Sequence, residues 1–315
     1  MAKKTTKKPK QQITKATWII FGLVFLLTLL SIFIMVMMPR TGMVHPDKAS
    51  YAVQAKATSY KKLAPGTTWQ WQLTGTINEK ILDPSSNKKK MIDVDMENTT
   101  SAIISRLKAK KITVVCYMEI GAWESYRNDS SQFPDNIKGN SLDPPFDDER
   151  YLDIRSQTVK NLMLKRLDKA KSKGCQGIEP DIDDAYFEDF EGDYTQSSAH
   201  TGFPISYATQ KNYNTYLAKA AHSRGMSFGL KNGADAKFIK DLLPVIDWVL
   251  TEQCYEYSEC NVYKPVIAAN KAVFAVEYSG SKAAFCPALN RLNFDGLKKA
   301  IELDAKPRVP CRTLH

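Results

Sequence analysis

The feature that most constrains the fold of this chain is an alternation of short β-rich runs with longer helical runs across residues 65–315. A repeated strand-then-helix order is typical of parallel strands with helices outside them. Eight strands over about this length favour a closed (β/α)₈ TIM barrel over an open sheet. The predicted strands are Trp69–Leu73, Met91–Asp95, Thr113–Met118, Gly177–Asp181, Ser227–Lys231, Trp248–Glu252, Ala272–Glu277 and Pro307–Val309.

Helical patterns lie between these strands, and none of the common nucleotide-binding motifs interrupts them. The second helical segment, 151–174, ends at Gly174, and a glycine in the left-handed conformation commonly terminates a helix. The chain has neither G-x-G-x-x-G nor G-x-x-x-x-G-K-[ST], which weakens nucleotide-binding folds. The predicted helical segments are 101–111, 151–174, 206–225, 236–247, 261–271 and 294–305.

A separate apolar segment precedes this region. Residues 18–38 (WIIFGLVFLLTLLSIFIMVMM) carry no charge, and as a helix they would span the roughly 30 Å hydrocarbon core of a bilayer. The run is longer than the apolar part of a cleaved signal peptide. Lysines crowd its N-terminal side, so the positive-inside rule places residues 1–17 in the cytosol. We therefore predict a type II signal anchor at 18–38, a stem at 39–64 and an extracellular or lumenal domain at 65–315.

The net charge of +10 comes mostly from the N-terminus. Seven lysines and arginines, and no acid, lie in residues 1–40, which leaves 37 cations against 34 acids in the remainder. The domain itself is thus close to neutral, which argues against nucleic acid as a partner. We expect a monomeric domain tied to a membrane by one helix.

All six cysteines follow the apolar segment, and an even number beyond an anchor predicts disulfides. A zinc site is the alternative, although the chain has no C-x-x-C spacing to support it. The sequons at Asn98 and Asn128 agree with a secretory route and predict glycosylation. Proximity favours Cys254–Cys260, order leaves Cys286–Cys311 plausible, and Cys116–Cys175 is the remainder.

Carboxylates recur at the carboxyl ends of the predicted strands. Because side chains alternate along a strand, Asp93 and Asp95 share one face, as do Tyr117 and Glu119. In a barrel these ends meet at one mouth, where such enzymes carry out their chemistry. Carboxylates gathered at one mouth would repel one another, so we expect a cationic substrate, a metal or an acid–nucleophile pair there. The other charged strand-end residues are Glu179, Asp181, Asp183, Lys231, Glu252 and Glu277.

The chemistry at such a mouth is predicted to be carboxylate chemistry. The four histidines lie outside any recognisable triad motif, and no G-x-S-x-G or H-E-x-x-H is present. Hydrolysis of a glycosidic bond needs two carboxyl groups. Among the strand-end carboxylates, Asp181 and Glu252 are the two best constrained by their neighbours in sequence. Lys231 is either a salt-bridge partner for nearby aspartates or a substrate contact.

Eight stretches of the chain, taken together and in order, resemble glycoside hydrolase family 114, the endo-α-1,4-polygalactosaminidases. The resemblance covers residues 65–311, nearly all of the predicted domain. The stretches are WQWQLTG (69–75), IDVDMEN (92–98), VCYMEIGAWESYRND (115–129), YLDIRS (151–156), KGCQGIEPDIDDAY (173–186), GLKN (229–232), TEQCYEYSEC (251–260) and FAVEY (274–278).

This resemblance implies a (β/α)₈ fold and an enzyme that cleaves within α-1,4-linked galactosamine chains. We expect it to use no metal or cofactor. It implies Asp181 and Glu252 as the catalytic pair, and we assign Asp181 as nucleophile and Glu252 as acid/base. We further expect the cationic amines of the polysaccharide to be bound by carboxylates. The expected substrate-binding residues are Asp93, Asp95, Tyr117, Glu119, Asp183, Lys231, Asn232, Glu277 and Tyr278.

Two alternatives come from other classes of protein. An anchor followed by Asp93-Val94-Asp95 also describes metal-dependent Golgi glycosyltransferases, which would require a nucleotide sugar. A non-catalytic polysaccharide-binding barrel would bind the polymer without shortening it. The sequence does not distinguish retention from inversion at the cleaved bond, which depends on the separation of the two carboxyls.

Overall fold

The computed structural model of the chain describes residues 59–82, 89–187 and 200–312. The predicted cytosolic tail, the anchor at 18–38 and most of the stem lie outside these ranges, so they stay predictions. Within the described residues, no helix combines the length and the apolar character that crossing a bilayer requires.

Twelve strands and six α-helices make up the described part of the chain. The helices are α1 (Ser101–Ala109), α2 (Gln157–Lys173), α3 (Tyr207–Ser223), α4 (Ala236–Leu242), α5 (Lys264–Ala268) and α6 (Lys282–Arg291). The strands are β1 (Thr68–Gln72), β2 (Lys90–Asp95), β3 (Ile112–Glu119), β4 (Ala122–Glu124), β5 (Lys138–Ser141), β6 (Glu149–Leu152), β7 (Gly177–Asp181), β8 (Ser227–Lys231), β9 (Trp248–Glu252), β10 (Val273–Glu277), β11 (Asp295–Lys298) and β12 (Val309–Pro310).

Eight parallel strands form the main sheet, in the order β1-β2-β3-β7-β8-β9-β10-β11, with β12 antiparallel on the outside of β11. The sheet curls into an α/β TIM-like fold. The segment that follows β11 contacts both β11 and the end of β1, because β12 pairs with β11 and Leu303 O accepts bonds from Leu73 N and Thr74 N. The Trp69 indole also donates to Asp295 O.

Seven of the eight predicted strands are present within one residue of their predicted ends. The eighth was predicted wrongly: the parallel strand is Asp295–Lys298, inside the segment 294–305 that was predicted to be helical. Tertiary contacts override the local pattern there, because Asp295 lies in register with Phe274 of β10. The predicted strand at 307–309 survives only as the two-residue β12.

Two apolar cores hold the sheet. The inner core fills the curl of the sheet and includes Trp69, Trp71 and Trp248, while the outer core packs the sheet against the helices. α2 shows how the sequence sets the helix ends: the Ser156 side chain accepts from Thr158 N, and Gly174 ends the helix with a φ of 98°. The C-terminal glycine predicted from the sequence is therefore confirmed.

Three disulfides are formed, in the pairing that proximity and order suggested. They join Cys116 to Cys175, Cys254 to Cys260 and Cys286 to Cys311. The first links β3 to the turn before β7, and the second closes the turn that follows β9. Two of the three crosslinks therefore restrain elements that carry predicted catalytic residues or their neighbours.

Candidate active site

An open cavity of about 520 Å³ lies at the carboxyl ends of the parallel strands. Among the residues lining it are Asp181, Lys231 and Glu252, the last residues of β7, β8 and β9. Seven predicted site residues line this carboxyl-end cavity together: Tyr117, Glu119, Asp181, Lys231, Asn232, Glu252 and Tyr278.

Lys231 is the electrostatic centre of the cavity. Its Nζ lies 3.3 Å from Asp181 Oδ1, 3.2 Å from Glu252 Oε2 and 3.1 Å from Glu179 Oε1. Burial lowers the pKa of the Lys231 ammonium, but the three carboxylates outweigh burial and hold that pKa well above its usual value. Lys231 is therefore a cation that holds the two candidate catalytic carboxylates together.

Each of these two carboxylates has further donors that fix its orientation. Glu252 accepts from the Tyr278 hydroxyl and, at 3.3 Å, from Asn232 Nδ2. Asn232 also accepts from Glu252 N at 2.9 Å through its Oδ1. Asp181 accepts from the Tyr117 hydroxyl at 3.0 Å. Both side chains remain about a quarter exposed, so a substrate can reach them.

A buried layer lies directly beneath Lys231. The Trp71 indole donates to Glu179 at 3.0 Å, and its ring centroid is 4.7 Å from the Lys231 ammonium. Burial raises the pKa of Glu179 to about 7. Burial, followed by the charge of Glu179, raises the pKa of Asp93 well above its usual value. Asp93 therefore keeps its proton to higher pH than an exposed aspartate, and it supports the floor of the cavity.

The backbone is unusual immediately after β7, β8 and β9. Ile182, Asn232 and Gln253 follow β7, β8 and β9, with φ values of 46°, 47° and 56°. A positive φ is uncommon for any residue with a side chain and is a genuine outlier for a β-branched isoleucine. Such strain persists only where surrounding contacts enforce it, and it concentrates at functional sites.

Four predicted substrate-binding residues lie outside the cavity lining. Asp93 is in the buried layer, and Asp183 is buried where its Oδ2 accepts from Lys231 N. Asp95 forms a 2.6 Å ion pair with Arg127. Glu277 was expected to face inward, but the inward positions of β10 are Phe274 and Val276, so its carboxylate instead accepts from Tyr255 N.

The Asp-x-Asp pair of the glycosyltransferase alternative is not arranged as a metal site. Asp93 lies against Glu179 in the interior, whereas Asp95 is occupied by Arg127. Within the described ranges, no group of three or more histidine, cysteine or acidic side chains is placed to hold a metal ion. Both sequon asparagines, Asn98 and Asn128, are exposed, and their glycosylation stays a prediction.

Sequence reasoning missed part of the lining. β4, β5 and β6 form a small antiparallel sheet after β3, with strand order β4-β6-β5. This insertion, together with the turn between β5 and β6, contributes Leu142, Phe146 and Glu149 to the cavity. Glu149 begins β6 and falls just before a segment predicted to be helical from residue 151. The residues around Glu149 do not alternate over a stretch long enough to predict a strand there.

A TIM-like α/β fold whose strand ends bring two carboxylates to one open cavity is an arrangement that glycoside hydrolases use. The model of the glycoside hydrolase family GH114 matches residues 49–314, and the chain belongs to that family.

Comparison with solved structures agrees with this assignment. Ega3 of Aspergillus fumigatus, solved in complex with galactosamine, is 32% identical, with a TM-score of 0.68 over 79% of this chain and 96% of that one. The glycoside hydrolase domain of PelA from Pseudomonas aeruginosa is 12% identical, with a TM-score of 0.56 over 78% and 98%, and shares the fold. No curated protein matches the chain.

Proposed function

We propose that the chain is an endo-acting hydrolase of α-1,4-linked galactosamine in cationic, partly deacetylated polysaccharide, with Asp181 as nucleophile and Glu252 as acid/base. The observation that carries the proposal is the contact of both carboxylates with one ammonium, that of Lys231, inside an open cavity. The family and the similarity to a protein solved with galactosamine support it.

The charge of the cavity supports a cationic substrate. Among the described residues that line it, Lys231 is the single cation, against five acidic side chains. An amine-bearing sugar would supply the positive charge that this lining lacks, whereas an N-acetylated sugar would not. The acidic residues are Glu119, Glu149, Asp181, Glu252 and Glu259.

A retaining reaction follows from the assignment of Asp181 as nucleophile, and the spacing of the two carboxylates is compatible with it. Their nearest oxygens can be no more than 6.5 Å apart, which is the 3.3 Å and 3.2 Å distances to Lys231 Nζ laid end to end. Retaining enzymes hold their carboxyls about 5–5.5 Å apart, whereas inverting enzymes separate them by about 6.5–9.5 Å to admit a water molecule.

In the proposed reaction, Glu252 gives its proton to the glycosidic oxygen while Asp181 attacks the anomeric carbon, which forms a glycosyl ester and frees the chain on the leaving side. Glu252 then takes a proton from water, and the resulting hydroxide displaces Asp181. Lys231 and Tyr117 stabilise the Asp181 carboxylate as it leaves. Water supplies the atoms of the new hydroxyl and the new hydrogen.

Digestion of a defined α-1,4-galactosamine oligomer by the purified full-length chain tests the proposal. Mass spectrometry should show internal cleavage, and NMR should show initial products with the α configuration. Asp181→Asn and Glu252→Gln should each lower kcat by a factor of at least about 100, because each removes a group that acts in the transition state.

Asp168→Asn, a change to an exposed acid on α2 outside the cavity lining, is the matched control for these variants. Near-normal rates for either catalytic variant would overturn the assignment of residues. The absence of cleavage products from the unaltered chain would overturn the proposed function itself.

A further inference from the structure

Glu149 occupies an unusual position in the small β4-β6-β5 sheet. It is 9% exposed, and it lines the carboxyl-end cavity together with Asp181. Its backbone is fixed, because Glu149 N donates to Phe146 O and Glu149 O accepts from Leu142 N, both at 3.0 Å. The side chain is therefore held at the cavity wall by its own strand.

The neighbouring acids already have partners. Glu124 accepts two bonds from the Arg127 guanidinium, and the third guanidinium nitrogen donates to Asp95. Glu119 accepts from the backbone N–H groups of Gly121 and Ala122, both at 2.7 Å. All three guanidinium nitrogens of Arg127 are thus bonded to other acids, and Glu119 is satisfied without Arg127.

Glu149 differs from these neighbours. In the part of the chain that the structure describes, its carboxylate has neither an ion pair nor a hydrogen bond. It also lies directly opposite Glu124 in the β4–β6 register, an arrangement of like charges that destabilises a sheet. Burial raises the pKa of Glu149 to about 8, helped by the charges of Glu124, Asp181 and Asp148 and opposed by Arg127.

We propose that Glu149 is the specificity-determining residue that binds the ammonium group of a galactosamine unit beside the catalytic pair. This inference rests on the proposed function and deepens it. Glu149 is a buried acid that faces the cavity it shares with Asp181. A cation on the substrate would supply the charged partner of this carboxylate. The amine on the sugar supplies that cation, whereas an N-acetyl group leaves Glu149 without one.

The experiment measures binding of two monosaccharides, galactosamine and N-acetylgalactosamine, to the full-length chain by calorimetry. The unaltered chain should bind galactosamine more tightly. Glu149→Gln should weaken galactosamine binding about ten-fold and leave N-acetylgalactosamine binding within about two-fold, because the ion pair with the sugar ammonium is replaced by an ion–dipole hydrogen bond.

Asp147→Asn is the matched control, since it removes the same charge from an exposed residue two positions away that is not among the charges acting on Glu149 and should leave the preference unchanged. A Glu149→Gln variant that keeps the full preference for galactosamine would overturn the inference. Glu149→Ala should lose the same preference, which separates recognition from the shape of the glutamine side chain.

Failure of the proposed function is a different result. If the chain binds galactosamine through Glu149 but leaves α-1,4-galactosamine oligomers intact, the role of Glu149 stands and the hydrolytic proposal falls. If the chain cleaves the oligomers while Glu149→Gln retains the preference, hydrolysis stands and the role of Glu149 falls.

Discussion

At the scale of single residues, Lys231 decides how the catalytic carboxylates are arranged. It is buried, and three acids surround its ammonium within 3.3 Å. The sequence left Lys231 with two roles, salt-bridge partner or substrate contact. The structure shows the ion pairs and also places Lys231 in the cavity lining, so the two roles do not exclude each other.

Replacing Lys231 by methionine should leave the three surrounding carboxylates without a cationic partner. Loss of one partner of a buried ion pair costs about 3–5 kcal/mol, so the free energy of unfolding should fall by roughly that amount. The pKa of Glu179, which Lys231 lowers, should rise further. We expect kcat to fall at least about 100-fold, as measured on a galactosamine oligomer beside a denaturation curve.

Lys237→Met is the comparison, because Lys237 is half exposed on α4 and pairs with Asp241. It should change the free energy of unfolding by less than about 1 kcal/mol and leave kcat unaltered. If Lys231→Met retained normal turnover, the cation would be unnecessary for holding the catalytic pair.

At the scale of elements, the ends of β3 and β7 approach so closely that one position must be glycine. A Cβ on Gly121 would lie 1.9 Å from Ile182 O, in the strained residue after Asp181. Gly121 N also donates to the Glu119 carboxylate. The short link from β3 to β4 therefore determines where the end of β7 lies.

Gly121→Ala should force these two ends apart. Overpacking of this kind costs about 1–3 kcal/mol, and it should also lower kcat because Asp181 immediately precedes the displaced residue. Gly174→Ala is the control, since it strains the end of α2 away from the cavity and should reduce the melting temperature with kcat preserved. Equal kcat values for the two variants would contradict this account.

The elements also show what sequence reasoning can and cannot find. The strands that carry Asp181 and Glu252 are short and almost wholly buried, and they hold their places in the alternation of strands and helices, so period-two counting locates both carboxylates. The strand Asp295–Lys298 has a local pattern that favours a helix, and its pairing with β10 and β12 makes it extended. The strain at Ile182 and the charge opposition of Glu124 and Glu149 depend on contacts between segments, which a single sequence does not reveal.

At the scale of the whole molecule, several buried acids bind protons more tightly in the folded chain than in the unfolded chain. Burial raises the pKa of Glu149 to about 8, and it raises those of Glu179 and Asp295 to about 7. Between their ordinary values and these raised values, the unfolded state releases protons that the folded state retains. Their contribution to stability is therefore greatest at acidic pH and declines as the pH rises.

We accordingly expect the melting temperature to fall between pH 5 and pH 8, by about 2–4 °C for each kcal/mol lost. Glu149→Gln should flatten this slope, because the variant has no carboxyl to ionise at that position. Calorimetric scans across the range, with Asp147→Asn as control, provide the measurement. A melting temperature that rises steadily toward pH 8 in the unaltered chain would contradict the expectation.

The way the chain enters its fold has a consequence for access. Leu63 O accepts from Ala272 N just before β10, and Gly66 N donates to Asp295 at the start of β11. Residues 63–66 therefore reach the sheet at the amino ends of its strands, the end opposite the cavity. A force applied to the chain at this segment would therefore act on the amino ends of the strands and not on the cavity at their carboxyl ends.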